Sequence, residues 1–325
     1  MNKNSKIYVA GHKGMVGSAI CRKLKDNGYK NIIIRSHSEL DLTRQSMVEK
    51  FFKDEIPEYV FLAAARVGGI LANSTYPAEF IYQNLLIESN IIHGAHKFGA
   101  KKLLFLGSSC IYPRNCPQPM KEEYLLTGIL EKTNEAYAIA KITGIKLCEY
   151  FYRQYGDEFI SVMPTNLYGP NDNFDLATSH VLPALIRKFH GGKTRWEKSS
   201  KGVRQNIGVA VWGTGKPRRE FLHVDDMAEA CIFVMNHVES SDIYGQDISH
   251  INIGTGKDLT ISELCKLVKD IVGFPGEVIY DNRKPDGTPQ KLLDITRLKN
   301  LGWEHKISLE EGIRKTYDWY LMEKI

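Results

Sequence analysis

Ile7-Tyr8-Val9-Ala10-Gly11-His12-Lys13-Gly14-Met15-Val16-Gly17 is the stretch that decides the fold of this chain. Its first four residues read as a short buried strand, and Val16 to Asn27 reads as a helix that stops at Gly28. The three glycines between fall where the backbone has to turn tightly and come close to a ligand. A helix starting immediately afterwards offers unpaired N–H groups and the positive end of its dipole, which together suit a pyrophosphate. Strand, glycine loop and helix in that order predict a dinucleotide held by Gly11, His12, Lys13, Gly14, Met15, Val16 and Gly17.

Outward from that loop the chain alternates. Strands are expected at Asn31–Ile34, Tyr59–Ala63, Lys102–Leu106 and Phe159–Met163, with helices running through Phe52, from Pro77 to Phe98 and from Ala136 to Tyr155. Alternating βα units imply an α/β fold, a Rossmann-type doubly wound parallel sheet with helices on both faces. After Pro164 the pattern changes to loops rich in Asn, Pro and Gly. The polar segment Gly191–Gly208 is expected to be an exposed loop or flap, followed by a helix at Asp225–Asn236, a strand at Ile251–Ile253 and a helix from Thr260 to Val272, capped by Thr260 or Ser262. The expected division is a cofactor lobe of residues 1–165 plus about 220–255, and a smaller α/β substrate lobe of about 166–219 plus 256–325.

Composition narrows the class. The chain has 325 residues, 43% of them hydrophobic and 25% charged, with a formal net charge of +5. Its basic residues are scattered and make no stripe of the kind that tracks nucleic acid. Six cysteines show neither C-x-x-C pairs nor zinc-like spacing, so they read as reduced thiols, and a cytoplasmic protein is expected. No signal peptide is read at Met1-Asn2-Lys3, and no uncharged run approaches the ~20 residues of a membrane span.

The end of the second strand distinguishes the two common dinucleotides. A carboxylate there binds the ribose 2′-OH of NAD, whereas cations suit a 2′-phosphate. Arg35, His37 and Lys13 favour NADPH, while Glu39 and Asp41 keep NAD open. Ser108 stands just past the fourth strand, at the edge where open α/β sheets bind ligands. Tyr137 and Lys141 lie four residues apart on a helix and therefore share a face. A nearby ammonium should lower the tyrosine from its usual value near ~10, making the phenol a proton donor.

Glycine loop, strand-end serine and helical Tyr-x-x-x-Lys together resemble the extended short-chain dehydrogenase/reductase family, over essentially the whole chain. Within it, the segments AGHKGMVGSAI (10–20), AARVGGI (64–70), TYPAEFIYQN (75–84), GSSCIYP (107–113), YAIAKI (137–142), MPTNLYGPNDNF (163–174), REFLHVDDMA (219–228) and KPDGTP (284–289) are similar to the enzymes that convert GDP-4-keto-6-deoxy-D-mannose to GDP-L-fucose. The resemblance implies Tyr137 as proton donor to the C4 ketone oxygen, Ser108 as a second donor, and Lys141 on the nicotinamide ribose. It implies NADPH as the hydride source. It also implies Cys110 and His180 as base and acid for epimerisation at C3 and C5, whose protons the ketone acidifies. Asp41, Leu42, Leu106, Gly107, Pro164, Asn166, Leu167 and His180 would complete the cofactor wall, and Lys188, Trp212, Arg219 and Asp286 would contact the nucleotide sugar. A homodimer packed through the helices near 78–98 and 136–155 is also implied.

Departures keep the substrate open. Lys13, His37 and Lys188 stand where the family often carries arginine, which removes bidentate geometry. The 191–208 segment is longer than the family leads one to expect. A C4 reductase of a related GDP-4-keto-heptose is therefore an alternative, and a non-catalytic dinucleotide sensor is a third reading. Asp225-Asp226 looks like a metal pair but opens a helix, where carboxylates favour the dipole, and no metal is expected.

Overall fold

Alternate residues of β1 (Ile7–Ala10) go to opposite faces of a parallel sheet, Ile7 and Val9 into one apolar cluster and Tyr8 and Ala10 into the other. The computed structural model describes residues 1–204, 206–284 and 286–325. Gln205, in the segment expected to loop, and Pro285, in KPDGTP, lie outside the described residues. With β2 (Ile32–Ile33), β3 (Tyr59–Leu62), β4 (Lys102–Leu106) and β5 (Phe159–Pro164) the same two-residue alternation continues, Phe61 and Leu104 to one side, Val60 and Phe105 to the other. Both faces are dry because helices cover both. Met15–Asp26 and Val224–His237 lie on the first face; Gln45–Glu55, Pro77–Lys97 and Glu135–Tyr155 lie on the second.

Four further strands follow through the middle of the chain: β6 (Asn166–Tyr168), β7 (Gly208–Trp212), β8 (Arg218–His223) and β9 (Ile251–Ile253). The large sheet has the order β2-β1-β3-β4-β5-β9, and every pair in it is parallel. The chain leaves β1 towards β2 on one side and returns to β3 on the other. That reversal opens a crevice beyond the carboxyl ends of β1 and β3, where doubly wound sheets take ligands.

β10 (Asp258–Thr260), β11 (Glu277–Asp281) and β12 (Gln290–Lys291) build the remainder. β8 is flanked by antiparallel β10 and parallel β12 and also pairs with β6, while β7 pairs with β11. A third apolar cluster, including Phe189, Val209, Val268 and Tyr317, sits under these strands. β8 ties the assemblies together, since Phe221 belongs to the third cluster and Leu222 to the first. Thr260, not Ser262, caps the Ile261–Val272 helix, in a reciprocal capping box with Glu263.

Residues 191–208 do not form the expected exposed loop. The Val181–Lys198 helix continues straight through Gly191-Gly192, a helical turn follows at Lys201–Arg204, and β7 begins at Gly208. Tertiary contacts override the polar composition. A Cβ on Gly192 would lie 2.8 Å from Val209, so the absent side chain permits close packing. Lys193 donates to the carbonyl of Val272 at 3.0 Å, and Arg204 Nε donates to the carbonyls of Trp196 and Ser199. Arg195 and Lys198 fall in the last helical turn, where cations favour the dipole. Among the described residues no helix is long and apolar enough to cross a membrane.

Candidate active site

The crevice beyond β1 and β3 is a cavity of about 710 Å³. Gly11 forms its floor at φ +85°, a left-handed conformation that favours glycine, and a Cβ there would lie 2.7 Å from the amide nitrogen of Ala64. A Cβ on Gly17 would come within 2.2 Å of the Gly11 carbonyl oxygen. The Met15–Asp26 helix opens from Gly14 with no side chain capping it, so its first amides remain for a ligand. His12 Nδ1 is buried without a hydrogen-bond partner beside them. This loop fits a dinucleotide diphosphate by the space it leaves and the donors it presents.

Every residue expected against the dinucleotide lines this one cavity, from the glycine loop through Arg35, His37, Asp41 and Leu42 to Leu106, Gly107, Lys141, Pro164, Asn166, Leu167 and His180. The cations at the far end differ in their engagements. Arg35 is ion-paired with Glu55 and donates to the Ile34 carbonyl, so its guanidinium is already committed. His37 is strongly exposed, 4.0 Å from Asp41. Asp41 in turn accepts from the amide and hydroxyl of Thr43, and Glu39 from those of Ser36. Both carboxylates thus cap their own loop.

Ser108, Tyr137 and Lys141 stand on the opposite wall. β4 carries the chain to Ser108, whose hydroxyl accepts from the Cys110 amide at 3.4 Å and acts to lower both the Tyr137 phenol and the Cys110 thiol. The Phe80 ring meets Tyr137 edge-on at 6.3 Å. Lys141 is buried, with its ammonium 3.0 Å from the Leu106 carbonyl, 2.9 Å from a Glu88 carboxylate oxygen, and 5.8 Å from the centre of the Tyr137 ring.

Those contacts overturn the expected tuning of Tyr137. Burial pushes its phenol well above the usual value, the nearby Cys110 and Glu88 push it the same way, and only the Ser108 hydrogen bond opposes them. The Lys141 ammonium lies 2.9 Å from a Glu88 carboxylate oxygen and 5.8 Å from the Tyr137 ring centre, so it faces the carboxylate more closely than the ring. Tyr137 is therefore held as a protonated phenol, a donor whose drive comes from the basicity of the incoming oxyanion.

Cys110 is buried beside the main cavity and lines a small void of about 10 Å³ together with Lys291, Arg114 and Glu131. Burial raises its thiol, while Ser108, Lys291 and Lys141 pull it back down. His180 is open to the cleft yet flanked by protein. That environment lowers its imidazole, and the charge of Lys291 lowers it further. Before a ligand arrives the pair is thus a thiol and a neutral imidazole.

Lys188, on the Val181–Lys198 helix, Trp212 and Arg219, on strands of the smaller sheets, and Asp286, in the loop before β12, form a separate group. The Lys188 ammonium lies 5.9 Å from the Trp212 ring centre and donates to the Ala210 carbonyl at 2.9 Å. Asp286 accepts from the amide and hydroxyl of Thr214 and is close enough to act electrostatically on Arg219. Trp212 keeps 59% of its surface exposed, with Lys284, in the turn after β11, 5.1 Å from its ring. An exposed indole ringed by cations suits an aromatic base linked to phosphates. Asp225 pairs with Arg22 at 2.9 Å, and Asp226 accepts from the amides of Lys306 and Ile307, so both serve the fold.

Residues 7–254 match the model of the NAD dependent epimerase/dehydratase family. The chain belongs to that family. A GDP-L-fucose synthase 1 from Arabidopsis thaliana is 56% identical over 98% of this chain and 94% of its own length. A GDP-L-fucose synthase from Escherichia coli is also 56% identical, over 97% of this chain and 96% of its own. Among solved structures, a GDP-mannoheptose C4 reductase from Campylobacter jejuni with NADP bound superposes with a TM-score of 0.91 at 44% identity, covering 99% of both chains. Sequence reasoning missed Glu88, Lys284 and Lys291 in this family member. Each looks like an ordinary charge until the fold sets Glu88 against Lys141, Lys284 against Trp212 and Lys291 beside Cys110.

Proposed function

We propose that the protein is an NADPH-dependent epimerase/reductase that converts GDP-4-keto-6-deoxy-D-mannose to GDP-L-fucose. The observation that carries this is the position of Ser108, which lines one cavity with Tyr137 and Lys141 while its hydroxyl accepts from the Cys110 amide. One residue thereby joins the group that would protonate a ketone oxygen to the group that would remove an adjacent C–H proton. Similarity over nearly the full length to GDP-L-fucose synthases supports the same substrate.

Bound NADPH supplies the hydride for C4. The glycine loop would hold its diphosphate, and Lys141 its nicotinamide ribose. Ser108 and Tyr137 polarise the C4 carbonyl, so that proton loss at C3 or C5 leaves the electron pair on O4 as an enolate. Cys110 takes that proton as thiolate, and His180 returns one to the opposite face, with no net change in atoms. At the reduction, Tyr137 gives its phenolic proton to the oxygen as hydride reaches carbon. Lys188, Trp212, Arg219 and Asp286 would bind the GDP portion. Lys13 and His37 at the far end of the cavity support NADPH over NADH.

A second reading is favoured by the Campylobacter heptose reductase neighbour: C4 reduction of a GDP-4-keto-heptose. One experiment separates the readings. Incubation with GDP-4-keto-6-deoxy-D-mannose and NADPH in deuterium oxide should give GDP-L-fucose with deuterium at C3 and C5 by NMR. Reduction without deuterium leaves a reductase only, and NADPH binding without turnover leaves a sensor. The same reading takes the protein as a cytoplasmic homodimer, in keeping with its six free cysteines and with Tyr82, Ile139 and Tyr150 exposed on the two long helices. Sedimentation velocity checks the assembly state.

A further inference from the structure

Glu88 sits on the Pro77–Lys97 helix with 1% of its side chain exposed, facing Lys141 with 2% exposed, at 2.9 Å. The two helices that carry them pack against each other over the second face of the large sheet. Room for the carboxylate comes from the sequence of the Glu135–Tyr155 helix. Gly144 lies three residues beyond Lys141 on the same face, and a Cβ there would lie 3.0 Å from Glu88 Oε2 and 2.4 Å from the Phe105 ring. Lys141 fills the rest of its surroundings with the Leu106 carbonyl and the face of Phe105, 4.6 Å from its ammonium.

We propose that Glu88 is a positioning residue for Lys141, holding its ammonium charged and in place within a site otherwise too dry to keep it so. The inference rests on the dinucleotide-reductase reading of the site and adds to it a group that touches neither substrate nor cofactor. Three observations carry it. Glu88 makes an ion pair but no well-aligned hydrogen bond, so both carboxylate oxygens are left without hydrogen-bond partners in the core. Such an arrangement is a poor way to stabilise a fold. The Leu106 carbonyl and the Phe105 ring face both favour a cation at Nζ, which places the shared proton on Lys141. Without Glu88, Lys141 would be a buried lysine with no counter-charge, and desolvation strips the proton from such groups near neutral pH.

The ionisable groups around the pair are few. Tyr137 shares the helix with Lys141, Cys110 approaches from the loop after β4, and Cys148 feels Glu88 from the next turns of the Glu135–Tyr155 helix. Burial raises Glu88 above the usual carboxylate range, and the Lys141 ammonium draws it part of the way back. The pair also explains why Tyr137 stays protonated: a phenol beside an uncompensated ammonium would ionise more easily and act as a base for alcohol oxidation. Glu88 thus biases the site towards ketone reduction.

The test is NADPH binding, followed by protein-to-cofactor fluorescence transfer from pH 6 to 10, in the wild type, E88Q, E88D and K141M. Wild-type affinity should be flat up to about pH 9. E88Q should match it at pH 6, weaken at least tenfold by pH 9, and there meet the K141M curve; E88D should fall between. E88D carries the comparison alone if E88Q does not fold. Wild-type pH dependence in the variants, or E88Q equally weak at every pH, overturns the proposal. Because the readout is binding, it stands apart from turnover. A protein that binds NADPH but reduces no GDP-4-keto sugar refutes the function proposed above and leaves the role of Glu88 to be judged on these curves.

Discussion

Arg219 and Lys291 are register partners on the parallel strands β8 and β12, so their side chains leave the sheet on the same face. Lys291 thereby places a positive charge near both Cys110 and His180, and lowers the proton affinity of each. With the thiol raised by burial and the imidazole lowered by the protein flanking it, the productive thiolate–imidazolium form is a minor one, and the pH profile of proton exchange should be a broad plateau. Lys291→Met should move both limbs of that profile to higher pH by about one unit, the scale of one close charge. Equal shifts leave the plateau height nearly unchanged. Solvent-deuterium incorporation measured from pH 5 to 10 checks this. Unmoved limbs with a fallen plateau would place Lys291 on the substrate instead.

The division of labour between Tyr137 and Cys110 is open to a paired test. Tyr137→Phe removes the proton donor and should cut ketone reduction by about 10²–10⁴-fold, with NADPH affinity unchanged within about twofold, since affinity rests on the glycine loop and Lys141. Cys110→Ser should instead depress deuterium exchange far more than hydride transfer to a substrate already epimerised. Single-turnover loss of NADPH absorbance, set beside NMR of the exchanged sugar, reads both steps. Equal losses in the two steps would dissolve the division.

Much of this was legible in the sequence, for reasons that are local. The strand at Ile7–Ala10, the glycine loop and the Tyr137–Lys141 spacing are set by periods of two and four residues, which survive without tertiary information. The start of the helix after Thr260 was legible too, but the choice of Thr260 over Ser262 as its cap came only with the Glu263 side chain in place. What failed was non-local. Gly191–Gly208 read as an exposed loop because nothing in the sequence announces that Val209 and Phe274 press on the helix at Gly192. Tyr137 read as acidified because Glu88, some fifty residues away, is an ordinary helix carboxylate until two helices pack. Lys291 joins Cys110 only through a strand pairing made late in the chain.

Gly191 and Gly192 give a stability test. Gly191 has open space where a Cβ would stand, and it lies inside a helix. Gly191→Ala should therefore stabilise by about 0.5–1 kcal/mol, the usual helix-interior difference. Gly192→Ala gains the same propensity but drives its methyl against Val209 and Phe274, for a net loss of about 1–3 kcal/mol. Urea unfolding of the two variants should move the midpoint in opposite directions. A rise for both would mean that the helix does not pack as described.

Asp172 offers a prediction about pH. It lies on the cavity wall, accepts from the Asn173 amide at 2.7 Å, and leaves Oδ2 buried without a partner; burial lifts its carboxyl to about 7. The folded state therefore binds this proton more tightly than the unfolded chain, whose aspartate titrates near 3.8. Below that value both states hold the proton and the group contributes no pH dependence. Between about 4 and 7 the unfolded chain has lost it while the folded one keeps it, so stability falls as pH rises, and above about 7 the full penalty remains. Asp172→Asn removes the titration. The amide left unpaired in the variant costs the same at every pH, so it cancels from the comparison. Relative to the wild type, the variant should be more favourable at pH 8 than at pH 4.5, by about 3 kcal/mol. Urea unfolding of both proteins at the two pH values measures the difference, and an equal offset at each would show that Asp172 ionises normally in the fold.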